Sequence, residues 1–265
     1  MKFCYASALG DCAGVITGEH YISRGVLDLI SYNDSNPGIA VLNGPRWQNK
    51  AIAIDSLVAN ILCEHHNGLL SPLDSTAKQM FEAVQHVRSR AVSGLHIAIS
   101  KDGHYFERWL LKMLCGVMAS GNSFRDDRRL TKQPPSITFL RVLFGMEPFS
   151  DGCGFYFTSN SILGPVPAGQ DFGFAPLSRN GEHIGFVMSM TNLGFYLAMR
   201  SQDTSCEGLL KGAVYRPSFL QFTNASTNNQ AKITLLWDQH RAESGVTINF
   251  IPIPDVVPNV VVRLE

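Results

Sequence analysis

Leu62-Cys63-Glu64-His65-His66-Asn67-Gly68-Leu69-Leu70-Ser71-Pro72-Leu73-Asp74 is the stretch on which the reading of the first third of this chain turns. A Cys-x-x-His places a thiol and an imidazole on one turn of backbone, which is half of a tetrahedral zinc shell. Cys4 and Cys12 lie upstream and offer the other half. Thiolates from Cys4, Cys12 and Cys63 with the imidazole of His66 would make a Cys3His shell with bonds of about 2.0–2.3 Å. The Cys4–Cys12 spacing exceeds the roughly two to four residues of common zinc knuckles, and Gly10-Asp11 could fold the longer loop back. His65 is a second candidate for the imidazole place. A structural zinc of this kind leaves Glu19, His20 and Asn67 as spare polar groups beside it.

Size and composition set the frame. The chain has 265 residues, enough for one or two domains. Hydrophobic residues make up 45 %, with 16 Phe, which is ample for a packed core. No stretch approaches the roughly 18 uninterrupted apolar residues of a membrane span. Met1-Lys2-Phe3-Cys4-Tyr5 lacks a secretory apolar run, so a cytoplasmic protein without a membrane partner is expected. Six cysteines are too sparse for a disulfide scaffold. The 22 basic and 22 acidic residues balance, which argues against coating nucleic acid by bulk attraction. Arg125, Arg128, Arg129 and Lys132 form a local basic stripe diluted by Asp126 and Asp127, better read as a solvated loop.

The expected class is α+β. Short strands around residues 13–22 open the chain. Ser71 as cap, Pro72 in the first turn and Asp74 as capping-box partner predict a helix carrying Leu73, Ala77, Met80, Phe81, Val84 and Val87. Phe106, Trp109, Leu110, Met113, Leu114, Val117 and Met118 recur at i, i+3, i+4 spacing, which predicts a second helix that stops at Gly121-Asn122. Beyond Pro134-Pro135 the pattern changes to short β-branched and aromatic runs at 139–144, 154–158, 183–190, 194–199, 218–222, 233–237 and 246–251. Gly, Pro, Asn and Ser separate them, as in an antiparallel sheet or small sandwich. Residues 184–187 and 193–197 read as neighbouring strands around a Thr191-Asn192 turn. This divides residues 1–125 from a β-rich unit over 126–265. His86, His96 and His104 have no partner at metal spacing, His183 and His240 (the latter beside Asp238) fall in strand contexts, and no nucleotide-binding glycine loop or nucleophile elbow is present.

Glu19-His20 followed at a distance by Cys63-x-x-His66-Asn67 resembles the HNH endonuclease family, over roughly residues 1–90. That family is built on a ββα-metal finger, often stapled by zinc. The resemblance implies single-metal hydrolysis of a phosphodiester: His20 as general base, with Glu19 and Asn67 holding a catalytic Mg2+ or Mn2+ while the zinc stays structural. It implies DNA as the partner, in restriction or phage defence, with RNA a weaker option. Three positions depart from the family pattern. Glu19 stands where Asp is usual, Ser23 where Pro is common, and the middle Asn has only Asn49 or Asn60 to match it. A zinc-organised module that binds nucleic acid or protein without cleaving is the alternative. The β-rich half would recognise a target, mediate homo-oligomer formation or sense a trigger, with Tyr215, Phe219, Phe222 and Trp237 available either to stack on bases or to pack a core.

Overall fold

The Cys63-x-x-His66 stretch sits at a strand-to-helix junction. The computed structural model describes residues 3–30, 38–43, 48–95, 97–121, 124–125, 128–129, 132–158, 172–179, 181–190, 193–200, 212–238 and 244–250. Over these the chain is α+β. Its first half runs β1 (Ile16–His20), α1 (Arg24–Ile30), β2 (Gly38–Asn43), β3 (Gln48–Ala53), β4 (Val58–Cys63), α2 (Glu64–Ser93), β5 (Ala98–Asp102), α3 (Gly103–Ser120), β6 (Phe124–Arg125) and β7 (Arg128–Arg129). Its second half runs α4 (Ile137–Leu143), β8 (Gly154–Thr158), β9 (Phe172–Arg179), β10 (Glu182–Met190), β11 (Leu193–Ala198), β12 (Val214–Tyr215), β13 (Phe219–Asn224), β14 (Gln230–Leu236) and β15 (Gly245–Phe250). No helix among the described residues is long and apolar enough to cross a membrane.

β1 pairs antiparallel with β4, Glu19 opposite Ala59 and His20 opposite Val58, and α2 leaves the end of β4 directly. α2 starts at Glu64, with Cys63 as its N-cap, and not at the expected Ser71-Pro72. Pro72 lies inside the helix. A mid-helix proline costs about 3 kcal/mol, but it is outweighed here. The turn from Cys63 must be helical to bring His66 round, and buried Leu70, Leu73, Ala77, Met80, Phe81 and Val84 continue one face across the proline. Ser71 therefore caps nothing. Its carbonyl accepts from Ser75 Oγ, and the Asp74 carboxylate bonds to Lys112 instead.

α3 follows its predicted stripe, with Asp102 accepting from the Tyr105 N–H at one end and Gly121 closing the other. The run at 139–144, expected as a strand, is helix α4. Ser136 Oγ accepts the Phe139 N–H, and Leu140 and Leu143 are buried at helical spacing.

The remaining strand runs at 154–158, 183–190, 194–199, 218–222, 233–237 and 246–251 all correspond to strands, and β10 and β11 pair through Met190 and Leu193 as expected. Thr191 and Asn192, together with His96, Cys206, His240 and the side chains of Asn49, Arg125, Arg128 and Arg129, lie outside the described residues. One sheet, in the order β12-β8-β11-β10-β9, is antiparallel throughout. The other, β15-β13-β14-β5, is mixed: β13 runs parallel to β15, and β14 runs parallel to β5 from the first half of the chain. Phe81 of α2, Phe106 and Trp109 of α3, and Phe195 of β11 meet at centroid separations of 5.5–5.8 Å. Each such pair adds about 0.5–1.5 kcal/mol beyond the area it buries. Helices α2 and α3 are thus fixed to the antiparallel sheet by one aromatic core.

Candidate metal centre and adjoining polar cluster

Cys4, Cys12, Cys63 and His66 converge so that one ligand atom from each lies within 4.8 Å of all the others. His66 Nδ1 is 3.5 Å from Cys4 Sγ, 3.7 Å from Cys12 Sγ and 3.1 Å from Cys63 Sγ. A tetrahedral ion with bonds of about 2.0 Å to nitrogen and about 2.3 Å to sulfur sets its N···S edges near 3.5 Å. The donor set and its spacing therefore fit a metal ion such as zinc. His66, and not the neighbouring His65, supplies the imidazole. It is fully buried, and the ring of Phe144 lies edge-on against it at 5.1 Å.

Local backbone explains the convergence. A 3-10 turn at Ser7–Leu9 ends on Gly10, whose φ of +88° only glycine adopts without strain, and this folds the long Cys4–Cys12 loop back. The Tyr5 N–H donates to the Ile61 carbonyl, the Glu64 N–H to Val15 and the His65 N–H to Ala13, which ties the loop to the β4–α2 junction. Burial works to raise the Cys63 thiol. The backbone N–H groups of His66 and Ala13 outweigh it and bring the thiol down to about 6. Burial and the crowded sulfur of Cys4 push Cys12 up to about 12.

Sequence reasoning named all four residues of the cluster but missed the group behind them. His66 Nε2 lies 2.8 Å from Asp11 Oδ1. A carboxylate on the far nitrogen of a ligating imidazole fixes its tautomer and orientation, and its loss lowers metal affinity about 10–100-fold. Asp11→Ala, with all four ligands intact, is expected to show that loss in a competition titration against a zinc indicator. An unchanged affinity would reduce Asp11 to a surface acid.

Beside this centre the structure brings Glu19 and Asn67 together and sets His20 apart. Asn67, on the first turn of α2, donates through Nδ2 to Thr17 Oγ1 at 3.1 Å, and its amide lies close enough to Glu19 to help lower that carboxyl. Thr17 and Glu19 share one face of β1, whereas His20, the next residue, leaves on the other. His20 is half-buried among Arg24, Asp55 and Asp28, and its Nε2 is buried with no hydrogen-bond partner among the described residues. Burial, then Arg24, holds its imidazole below the usual histidine range, so it is neutral at pH 7.

The Glu19 carboxylate is also engaged. Lys112 Nζ, from inside the apolar run of α3, pairs with Glu19 and lies 2.7 and 2.6 Å from the two oxygens of Asp74. Ser23 Oγ donates to Asp74 and in turn accepts from the Trp109 indole N–H at 2.6 Å. Lys112 and Glu19 are both buried, the lysine side chain only 3 % exposed. Burial raises the Glu19 carboxyl against the opposing pull of the ammonium, while the two carboxylates keep Lys112 protonated despite its own burial. Three carboxylate oxygens therefore meet at one cation position, which Lys112 fills. Lys112 and Asp74 were missed from sequence, although a lysine flanked by Leu110, Leu111, Met113 and Leu114 signals a buried charge seeking a partner. No protein-family model matches this chain, and neither curated proteins nor solved structures show a significant match to it.

Proposed function

We propose that residues 1–93 form an HNH-type finger, stapled by a structural zinc on Cys4, Cys12, Cys63 and His66, that hydrolyses phosphodiester bonds in DNA. The observation that carries this reading is the β1–β4–α2 unit. It sets Glu19 and Asn67 in side-chain contact next to the Cys/His centre, and it directs Glu19 with Asp74 at a single cation position. Oxygen donors of this kind suit Mg2+ or Mn2+, and such an ion would neutralise charge on the scissile phosphate. Glu19 and Asp74 would hold it once Lys112 turns out of the cage, with Asn67 orienting Glu19. The general base in this reading is His20, as the family resemblance implies, although it leaves β1 on the face opposite Glu19 and would have to turn toward the attacking water.

A second reading, a zinc-organised binding module without hydrolysis, is favoured by one observation. Lys112 already neutralises Glu19 and Asp74, while His20 leaves the opposite face of β1. Plasmid nicking in Mg2+ or Mn2+ separates the two. The first reading expects nicking by the wild-type chain and a loss of about 10²–10⁴-fold in His20→Ala, with zinc content unchanged. Pure wild-type protein that leaves supercoiled plasmid, single-stranded DNA and RNA intact would establish the second.

A further inference from the structure

The cavity between α3, the loop after α4 and the ends of β12 and β14 encloses about 420 Å³, within the roughly 300–1,000 Å³ of small-ligand sites. We propose that it binds a nucleotide, the base beside Phe149 and the outer face of the Arg216 guanidinium and the phosphate on the free guanidinium edges of Arg108 and Arg216.

Arg216 carries the argument. Its φ is +40°, a left-handed value that a non-glycine residue holds only against backbone strain. The conformation is imposed from three sides. The Arg216 N–H donates to the Phe155 carbonyl, and Nε and Nη2 reach the two oxygens of Glu107 at 2.9 and 2.7 Å. Glu107, only 1 % exposed, also accepts the Phe155 N–H. Gly154, at φ +121°, makes room for the pair: a Cβ there would sit 2.7 Å from the Glu107 oxygen. A strained backbone, a buried ion pair and an obligatory glycine thus hold one guanidinium in one place.

That guanidinium lies over the rings of Tyr215, Trp237 and Phe149 at 5.2, 5.4 and 5.9 Å. Its Nη1 has no protein partner among the described residues. Arg108 spends only Nε, on the Leu143 carbonyl, and has no carboxylate partner among the described residues. A structural fastener accounts for the Glu107–Arg216 pair but not for the second, uncommitted arginine on the same cavity. Trp237 is locked by its indole N–H on the Pro217 carbonyl, which gives a rigid aromatic wall. Flat aromatic and guanidinium faces accept a planar ring of any sequence, and free arginine N–H groups accept phosphate. The carboxylates of Asp151 and Asp238 at the rim can take the amino group of a base, which a simple aromatic acid lacks.

This site stands independently of the hydrolase reading, because its test reads binding alone. The full chain, without added divalent metal, is titrated calorimetrically with AMP, GMP and CMP up to about 1 mM. Ribose 5-phosphate and a short phosphorothioate oligonucleotide are titrated alongside. Phe149→Ala and Arg108→Gln leave the buried ion pair intact and so keep the fold. The expected result is saturable one-to-one binding of a mononucleotide, weakened tenfold or more by each variant. Binding of the oligonucleotide alone, with the same sensitivity, supports the same pocket with an unstacked nucleotide of a strand as its occupant. No binding of either, binding that both variants leave unchanged, or ribose 5-phosphate binding as tightly as the mononucleotides would overturn the proposal.

Discussion

The purified chain is expected to carry one zinc per molecule, and stripping it with a chelator should release the N-terminal segment around the Cys/His cluster. Structural zinc in small fingers binds with an apparent free energy of about 10–16 kcal/mol, most of which is folding energy. Here the ion would join the Cys4–Cys12 loop to the β4–α2 junction, a link otherwise carried by a few backbone hydrogen bonds. Once the cation is gone the ligand thiols take up protons, and nothing then holds the three sulfurs and the imidazole within 4.8 Å of one another. Loss of metal should therefore release residues 3–15 and fray the first turns of α2. The aromatic core around Phe81, Phe106 and Trp109 should stay folded. Hydrogen exchange would show new deuterium uptake confined to that segment, and Cys63→Ser should reproduce it without chelator. A metal-free chain with unchanged exchange and melting temperature would remove zinc from the account.

What could be read in advance follows from how local each signal is. Cys63 and His66 are separated by one turn, and thiols and imidazoles at that spacing favour one chemistry, so the four residues of the cluster were legible. The stripe of α3 and the β10–β11 hairpin were legible because their periods of 3.6 and 2 are written within a single element. The start of α2 was not, because Pro72 carries the local signature of a first turn while the real start is set by the distant Cys4 and Cys12. The mixed sheet was illegible for the same reason. Its parallel pairing of β5 with β14 joins segments more than 120 residues apart. His20 is a different case. Period-two alternation along β1 already separates it from Glu19, and the family resemblance led the other way. The polar cluster was half legible: Glu19 and Asn67 stood out as spare groups, but nothing local ties Asp74 to Lys112.

Lys112→Met is expected to be a strongly damaging substitution in the helical core, costing about 3 kcal/mol, because it leaves the buried Glu19 carboxylate facing the part-buried Asp74 carboxylate without a counter-charge. Denaturant unfolding measures this directly. The triple variant Glu19→Gln/Asp74→Asn/Lys112→Met should cost less than Lys112→Met alone, since amides share hydrogen bonds where carboxylates repel. A single-variant cost near 1 kcal/mol would mean that the cluster is solvated and that its burial does not govern it. The same variant bears on function. With the ammonium gone, the oxygens of Glu19 and Asp74 present an open hard-cation site, and Mn2+ at about 100 times its dissociation constant would return about 2.7 kcal/mol by linkage. Recovery of that size in Lys112→Met, absent from the triple variant, would identify the lysine as the occupant of a divalent-ion position and favour hydrolysis. Equal indifference of both variants to Mn2+ would mean that Lys112 is a permanent structural charge, and the binding module would then be the reading that survives.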